Sequence, residues 1–209
     1  MSVAAVASRP ARGEARRRLL DAAVDVIRVQ GLSGTTVDDL CRAAGVTKGA
    51  FFHHFESKDA LAVAAAEHWS QMTGELFATA AYHHLEDPAE RVLGYLDLRA
   101  EWVDGPIHEF TCLVGTMVQE AYRTNPAVRD ACAASIFGHA ATLEADLAAA
   151  LAAAGSDVDP PGLARHVQAV LQGSFILSKA ADDPQVGRDS IAHLRRYVHG
   201  LVHHRSTGA

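Results

Sequence analysis

Apolar residues recur along this chain at intervals of three and four, the period of an amphipathic α-helix, and no segment alternates apolar and polar as a half-buried strand would. Leu19, Ala22, Ala23, Val26 and Ile27 form an i, i+3, i+4, i+7, i+8 stripe that Gly31 closes, which predicts a first helix. Val37, Leu40, Cys41 and Ala44 predict a second, with Thr36 as N-cap and Asp39 three residues on, the spacing of a capping box. Gly45 suits the left-handed residue that stops a helix. Thr47 is placed to cap a helix of one to two turns anchored by Phe51 and Phe55, and Ser57 to cap another that begins at Lys58, with Asp59 at its positive end.

Beyond residue 62 the helix starts are marked by an Asx residue followed by proline: Asp87-Pro88, Asn125-Pro126, Asp183-Pro184 and, more loosely, Asp159-Pro160-Pro161. Helical spacing follows each marker, as in Val92, Leu93 and Leu96, in Ile136, Ala140, Leu143, Leu147 and Leu151, and in Ile191, Leu194, Val198, Leu201 and Val202. Residues 155–162 are the best loop candidate. The expectation is an all-α fold of about nine helices, with a long helix from Lys58 to about His83 bridging two parts. Residues 1–13 are expected to be a disordered tail, 14–60 a small three-helix domain and 61–209 a larger helical domain.

Residues 35–61 then read as two short helices joined by the turn Ala44-Gly45-Val46-Thr47 and followed at once by a third helix start. That is the grammar of a helix-turn-helix, which lays its second helix in the major groove of DNA. The segments LLDAAVDVIRVQG, TTVDDLCRAAGV, TKGAFFHHF and ESKDAL, over roughly residues 15–62, resemble the N-terminal domain of the TetR family of bacterial transcriptional regulators in order and spacing. The resemblance implies a ligand-responsive, sequence-specific DNA-binding regulator, a repressor released from a palindromic operator by a small molecule. It also implies that the last two helices of each subunit build a four-helix dimer interface. Two positions depart from the family pattern: Phe52 lacks the hydroxyl usual at that aromatic, and Cys41 stands where alanine is common.

The expected partners are a double-stranded DNA operator with an inverted repeat, a small-molecule effector and a second copy of the chain. The candidate DNA surface is Thr35, Thr36, Thr47, Lys48, Gly49, Ala50, Phe52, His53 and Lys58. Lys48 and Lys58 suit phosphates, Thr36 and Thr47 are caps or phosphate donors, and Gly49 and Ala50 allow close approach or contact with a thymine methyl. Candidate effector-site residues are Trp102, His108, Phe110, Cys112, Met117, Tyr122, Phe137 and Phe175, since small-molecule sites are apolar with a few polar groups. The candidate dimer face is Leu163, Val167, Val170, Leu171 and Phe175 on one helix and Ile191, Leu194 and Val198 on the next.

Charge sharpens this picture. The net charge is −6, yet residues 1–60 hold nine Lys and Arg against seven Asp and Glu, and the remainder ten against eighteen. Positive charge clusters at Arg16-Arg17-Arg18 and around Lys48 and Lys58, where it can release counterions from a duplex. In 209 residues, 49% hydrophobic, no run of eighteen apolar residues occurs, and the charge of MSVAAVASRPARGEARRR follows its short apolar stretch, the reverse of a secretory signal. The expectation is a cytoplasmic protein with no membrane partner and no cofactor. Cys41, Cys112 and Cys132 form no CxxC pair, and adjacent histidines such as His53-His54 point apart on a helix, so no metal site is expected. A metal- or redox-sensing regulator, with Cys112 as the sensor, remains the alternative input. A helical enzyme is the remote alternative, with no GxSxG, HExxH, phosphate loop or DxDxDG motif to carry it.

Overall fold

Side-chain caps set most of the helix starts in the computed structural model, which describes residues 13–203. The helices are α1 (Glu14–Gly34), α2 (Val37–Ala44), α3 (Lys48–His54), α4 (Lys58–Ala78), α5 (Pro88–Glu101), α6 (Ile107–Phe110), α7 (Leu113–Ala121), α8 (Pro126–Ala141), α9 (Glu144–Ala154), α10 (Pro160–Ala181) and α11 (Pro184–Val202), with a 3-10 turn at Ala81–His84. Residues 1–12 of the expected tail lie outside the described residues. Each Asx-Pro marker begins a helix: the Asp87, Asn125, Asp159 and Asp183 side chains accept the N–H of Ala89, Val128, Gly162 and Gln185. Among the described residues, eleven α-helices exceed the expected nine partly because α6 has no side-chain cap and α7 is capped by the Cys112 thiol. Neither start carries an Asx or hydroxyl signal.

The apolar positions close into two cores. Leu19, Ile27, Leu40, Phe51 and Leu61 of the first four helices are fully buried together with Leu113, Met117, Val128 and Cys132 of α7 and α8. The core therefore runs across residue 60, the expected domain boundary. Each such side chain contributes about 1.5–3 kcal/mol by leaving water, so the small domain is fastened to the larger one by the same contacts that stabilise it. Phe77, Tyr95, Leu96, Leu147, Leu171, Ile191 and Val198 form the second core.

Two expectations need correction. The stripe Ile136 to Leu151 is divided into α8 and α9 at Thr142-Leu143. By length and composition Pro126–Ala154 is apolar enough to cross a membrane, but it carries Asp146, whose carboxylate accepts a 2.8 Å hydrogen bond from Arg91 of α5. Leu163, Val167, Leu171, Phe175, Ile191, Leu194 and Val198, expected at a dimer face, are buried within the subunit, and Val170 is half-buried. Their stripe reports packing of α10 and α11 on α5, α8 and α9 of the same chain. The large apolar residues these helices leave exposed are Ile176, Leu177 and Tyr197.

Candidate nucleic-acid interface and ligand cavity

The turn between α2 and α3 depends on Gly45, which adopts φ 61° and ψ 41° and lies so close to Arg18 that a Cβ would stand 2.5 Å from its Nη2. The left-handed backbone favours glycine, and a side chain here would also displace the Arg18 guanidinium. Thr36 closes the predicted capping box: its hydroxyl accepts the Asp39 N–H at 3.1 Å and donates to the Asp39 carboxylate at 2.6 Å. That carboxyl is held down at about 2, first by the Thr36 hydroxyl, then by the Thr36 N–H and Arg42. The single Thr36 hydroxyl proton is thus committed within the cap.

Phe51 is fully buried and orients α3, with Phe55 closing the same core beside it at 5.9 Å between rings. The opposite side presents Thr47, Lys48, Gly49, Phe52 and His53 to solvent, with Ala50 half-buried. Thr47 accepts the Ala50 N–H at 3.2 Å through its oxygen, which leaves its proton to donate. Lys48 pairs with Asp38 of α2 at 2.9 Å, with both side chains exposed. Such a pair contributes little to stability and is readily exchanged for a phosphate. The hydrogen bond and charge of Asp38 raise the Lys48 pKa, so the ammonium stays protonated.

Two expected DNA contacts are turned inward. Thr35 is only 1% exposed, and its hydroxyl donates to the Gly31 carbonyl at 2.6 Å. Lys58 donates to the Leu32 and Thr35 carbonyls, both at 2.8 Å, and so ties the end of α1 to the start of α4. Two of its three N–H donors are already met by backbone, which gives Lys58 a structural role beside the phosphate contact expected of it.

A cavity of about 500 Å³ opens in the larger part of the molecule. Trp69, Met72 and Phe77 of α4 form one wall, Phe110 and Cys112 another, and Gln168, Gln172 and Phe175 of α10 a third. Trp102, Phe110, Cys112 and Phe175 were expected there and line it. The other expected residues do not. Met117 is fully buried in the first core, Tyr122 and Phe137 are 56% and 59% exposed, and His108 sits half-buried outside the lining. Cys112 spends its sulfur on the α7 cap, accepting the Gly115 N–H at 3.4 Å. Among the described residues no group of three or more His, Cys, Asp or Glu side chains is arranged to hold a metal.

Sequence reasoning missed the cavity's polar groups. Gln168 donates to the Tyr95 hydroxyl at 3.1 Å, and that hydroxyl meets His139 Nε2 at 3.0 Å. Burial first and Arg99 second push the His139 pKa down to about 4, so the ring is neutral at pH 7. The guanidinium of Arg99 lies 5.5, 5.9 and 5.4 Å from the ring centres of Phe77, Trp102 and Phe175. A signal for Arg99 did exist: with Tyr95 and Trp102 it forms an i, i+4, i+7 set, a charge on an apolar helix face.

Comparison with known proteins places this geometry. A family model described as bacterial regulatory proteins, tetR family, matches residues 19–65, and one described as tetracyclin repressor-like, C-terminal domain, matches residues 88–194. The chain belongs to the TetR family. It is 32% identical over 124 residues to the HTH-type transcriptional repressor DhaR of Mycobacterium sp. (strain GP1), covering 57% of this chain and 58% of DhaR. It is 49% identical over 45 residues to the HTH-type transcriptional regulator SrpR of Pseudomonas putida, covering 22% of this chain and 21% of SrpR. The matches thus span less than two thirds of these relatives' lengths. In fold, a TetR-family regulator from Agrobacterium tumefaciens superposes with a TM-score of 0.78 at 17% identity over 90% of this chain and 98% of that one. One from Chloroflexus aurantiacus gives 0.75 at 24% identity, covering 90% and 95%.

In this TetR-family chain the small domain and the cavity meet at the end of α1. Arg28 lines the cavity with its guanidinium 5.3 Å from the Trp69 ring centre, and it donates to the Glu109 carbonyl at 2.8 Å. Lys179 of α10 donates to the Arg28 carbonyl at 3.2 Å. Glu120 of α7 accepts the Leu32 and Ser33 N–H groups at 3.1 and 2.6 Å. Gly31 makes this possible, with φ 79° and a Cβ position only 2.4 Å from the Glu120 carboxylate.

Proposed function

We propose that this chain is a cytoplasmic, sequence-specific DNA-binding regulator, a repressor released from an inverted-repeat operator when a small molecule fills the cavity. The reading surface is the exposed face of α3. Lys48 takes phosphate, and Thr47 donates to it. Gly49 and Ala50 permit backbone approach, while Phe52 and His53 face the base edges. Phe52 contributes apolar contact alone, suited to a thymine methyl.

The observation that carries the switch is Arg28. One side chain belongs to the cavity wall through Trp69 and to the DNA-binding part through α1, so a ligand that moves Trp69 or the α6 segment bears on the position of α3. The ligand must favour the form unable to bind DNA, and it shifts the balance by no more than its affinity difference for the two forms. Two copies are needed, because one short helix reaches few base pairs whereas two in successive major grooves, about 34–36 Å apart, demand a palindrome. The dimer surface is the outer seam of the last two helices: His166, Val170, Gly173, Leu177 and Ala180 of α10 with Ser190, His193, Tyr197 and Gly200 of α11, spaced alternately four and three apart as in a helical bundle.

The test is recovery of genomic fragments by the purified full chain. An inverted repeat with half-sites about one or two helical turns apart is expected. Fragments with no shared sequence, equally displaced by random competitor, would refute the reading.

A further inference from the structure

Four aromatic rings of the cavity, Trp69, Phe77, Trp102 and Phe175, already have a guanidinium carbon within 5.3–5.9 Å of their centres. Cation–π attraction is thereby used by the protein's own arginines, and a cationic ligand would meet two like charges where it would otherwise find bare rings. The two arginines differ in one respect. Arg28 is spoken for, donating to the carbonyls of Val24 and Glu109 and to the Asp25 carboxylate. Arg99 makes no hydrogen bond or ion pair with any described residue, and its Nε is sealed from solvent without a partner. A guanidinium offers five N–H donors in a fixed fork; the sealed Nε–H is left unmet at a cost, and the two Nη groups remain to receive an acceptor from the cavity. Three rings hold that fork in place and none of them accepts its in-plane N–H groups.

We propose that the cavity binds a small organic monoanion, a carboxylate on a compact apolar body, with the carboxylate received by Arg99. A carboxylate matches the fork through two parallel charge-assisted hydrogen bonds. The apolar body lies among Met72, Leu76, Phe110 and Ile136. A second acceptor on the ligand is met by His139: its Nε2 lies 3.0 Å from the Tyr95 hydroxyl, which itself receives Gln168, and with that hydroxyl donating to Nε2 the ring proton stands on Nδ1. Glu101, Asp104 and Glu109 also line the cavity, but they are exposed and form no ion pair with either arginine, so solvent screens their charge. Among the described residues, Arg99 is the one uncommitted guanidinium in the lining and matches a single carboxylate.

The proposal rests on the reading of this cavity as the effector site, and its test separates the two. Both tryptophans of the chain, Trp69 and Trp102, line the cavity, so their fluorescence reports occupancy in the unmodified protein. Three probes of one shape are titrated: 4-tert-butylbenzoate, 4-tert-butylbenzamide and 4-tert-butylbenzylammonium. The benzoate is expected to bind at least about ten-fold more tightly than the amide, and the ammonium not to saturate. Arg99→Gln should bring the benzoate down to the level of the amide, Arg99→Lys should fall between, and the amide should be nearly indifferent to both, which also shows that the variants are folded. Equal binding of benzoate and amide, saturation by the ammonium, no saturation by any probe, or an unchanged preference in Arg99→Gln overturns the proposal. If Arg99→Gln does not fold, the charge series on the native chain and Arg99→Lys still decides. Operator binding is scored on the same samples. A chain that binds its operator but shows no anion preference refutes this inference alone, whereas an anion-binding chain without DNA binding refutes the regulator reading alone.

Discussion

Replacing Glu120 by alanine removes the carboxylate that accepts the Leu32 N–H at 3.1 Å and the Ser33 N–H at 2.6 Å. Hydrogen bonds to a charged group contribute about 1.5–3 kcal/mol each when buried. Ser33 is exposed and water replaces its partner, so the expected cost of Glu120→Ala is about 1–3 kcal/mol in all. Gly31→Ala should cost more. Its φ of 79° and ψ of 164° lie in a region that only glycine enters freely, a strain of about 1–3 kcal/mol. In addition the new Cβ would displace the Glu120 carboxylate and forfeit its bonds. The double variant cannot lose those bonds twice, so its destabilisation should fall short of the sum of the single ones by about the Glu120 contribution, 1–3 kcal/mol. Urea denaturation at one fixed protomer concentration measures all three. Additivity within about 0.5 kcal/mol would refute the claim that these residues share one contact at the junction.

Lys48→Ala should weaken binding to every duplex and lower the slope of log affinity against log salt by about 0.9 for the phosphate lost, whereas Lys58→Ala should leave that slope unchanged and reduce stability by about 1–3 kcal/mol through two orphaned carbonyls. Salt titrations and denaturation curves on both variants distinguish the roles. Because His139 is held at about 4 against 6.5 when exposed, its contribution is complete above about pH 6.5 and is lost as pH falls through about 4. Stability against pH should therefore flatten over that window in His139→Gln by no more than about 3 kcal/mol. Leu177→Asp, at an outer seam position, should yield a folded monomer by light scattering with greatly reduced operator affinity; a dimer of native affinity would move the interface elsewhere.

Much of the fold was legible because helix starts are local chemistry. Thr36, Thr47, Ser57 and the Asx-Pro pairs each satisfy an amide two or three residues away, so a linear reading finds them. Gly45 was legible for the same reason. The dimer residues were misread because helical periodicity reports burial and not the partner that supplies it: Leu171 and Ile191 are as buried in one subunit as any interface would make them. The cavity was half legible. Large aromatic residues such as Trp102 and Phe175 are natural candidates, while His139, Gln168 and Tyr95 come from three helices and meet only in the folded chain. Thr35 is buried, and Lys58 takes on a structural role, because a polar residue beside a reading helix can serve backbone as well as DNA, and the carbonyl ends of α1 engage both.

The central claim, that the outer face of α3 reads sequence, is tested most directly by repeating the genomic selection with His53→Ala and Phe52→Ala. The account predicts that each variant still recovers an inverted repeat of unchanged spacing and loses preference at the same one or two base pairs in each half-site. An unaltered base preference in both variants would contradict it.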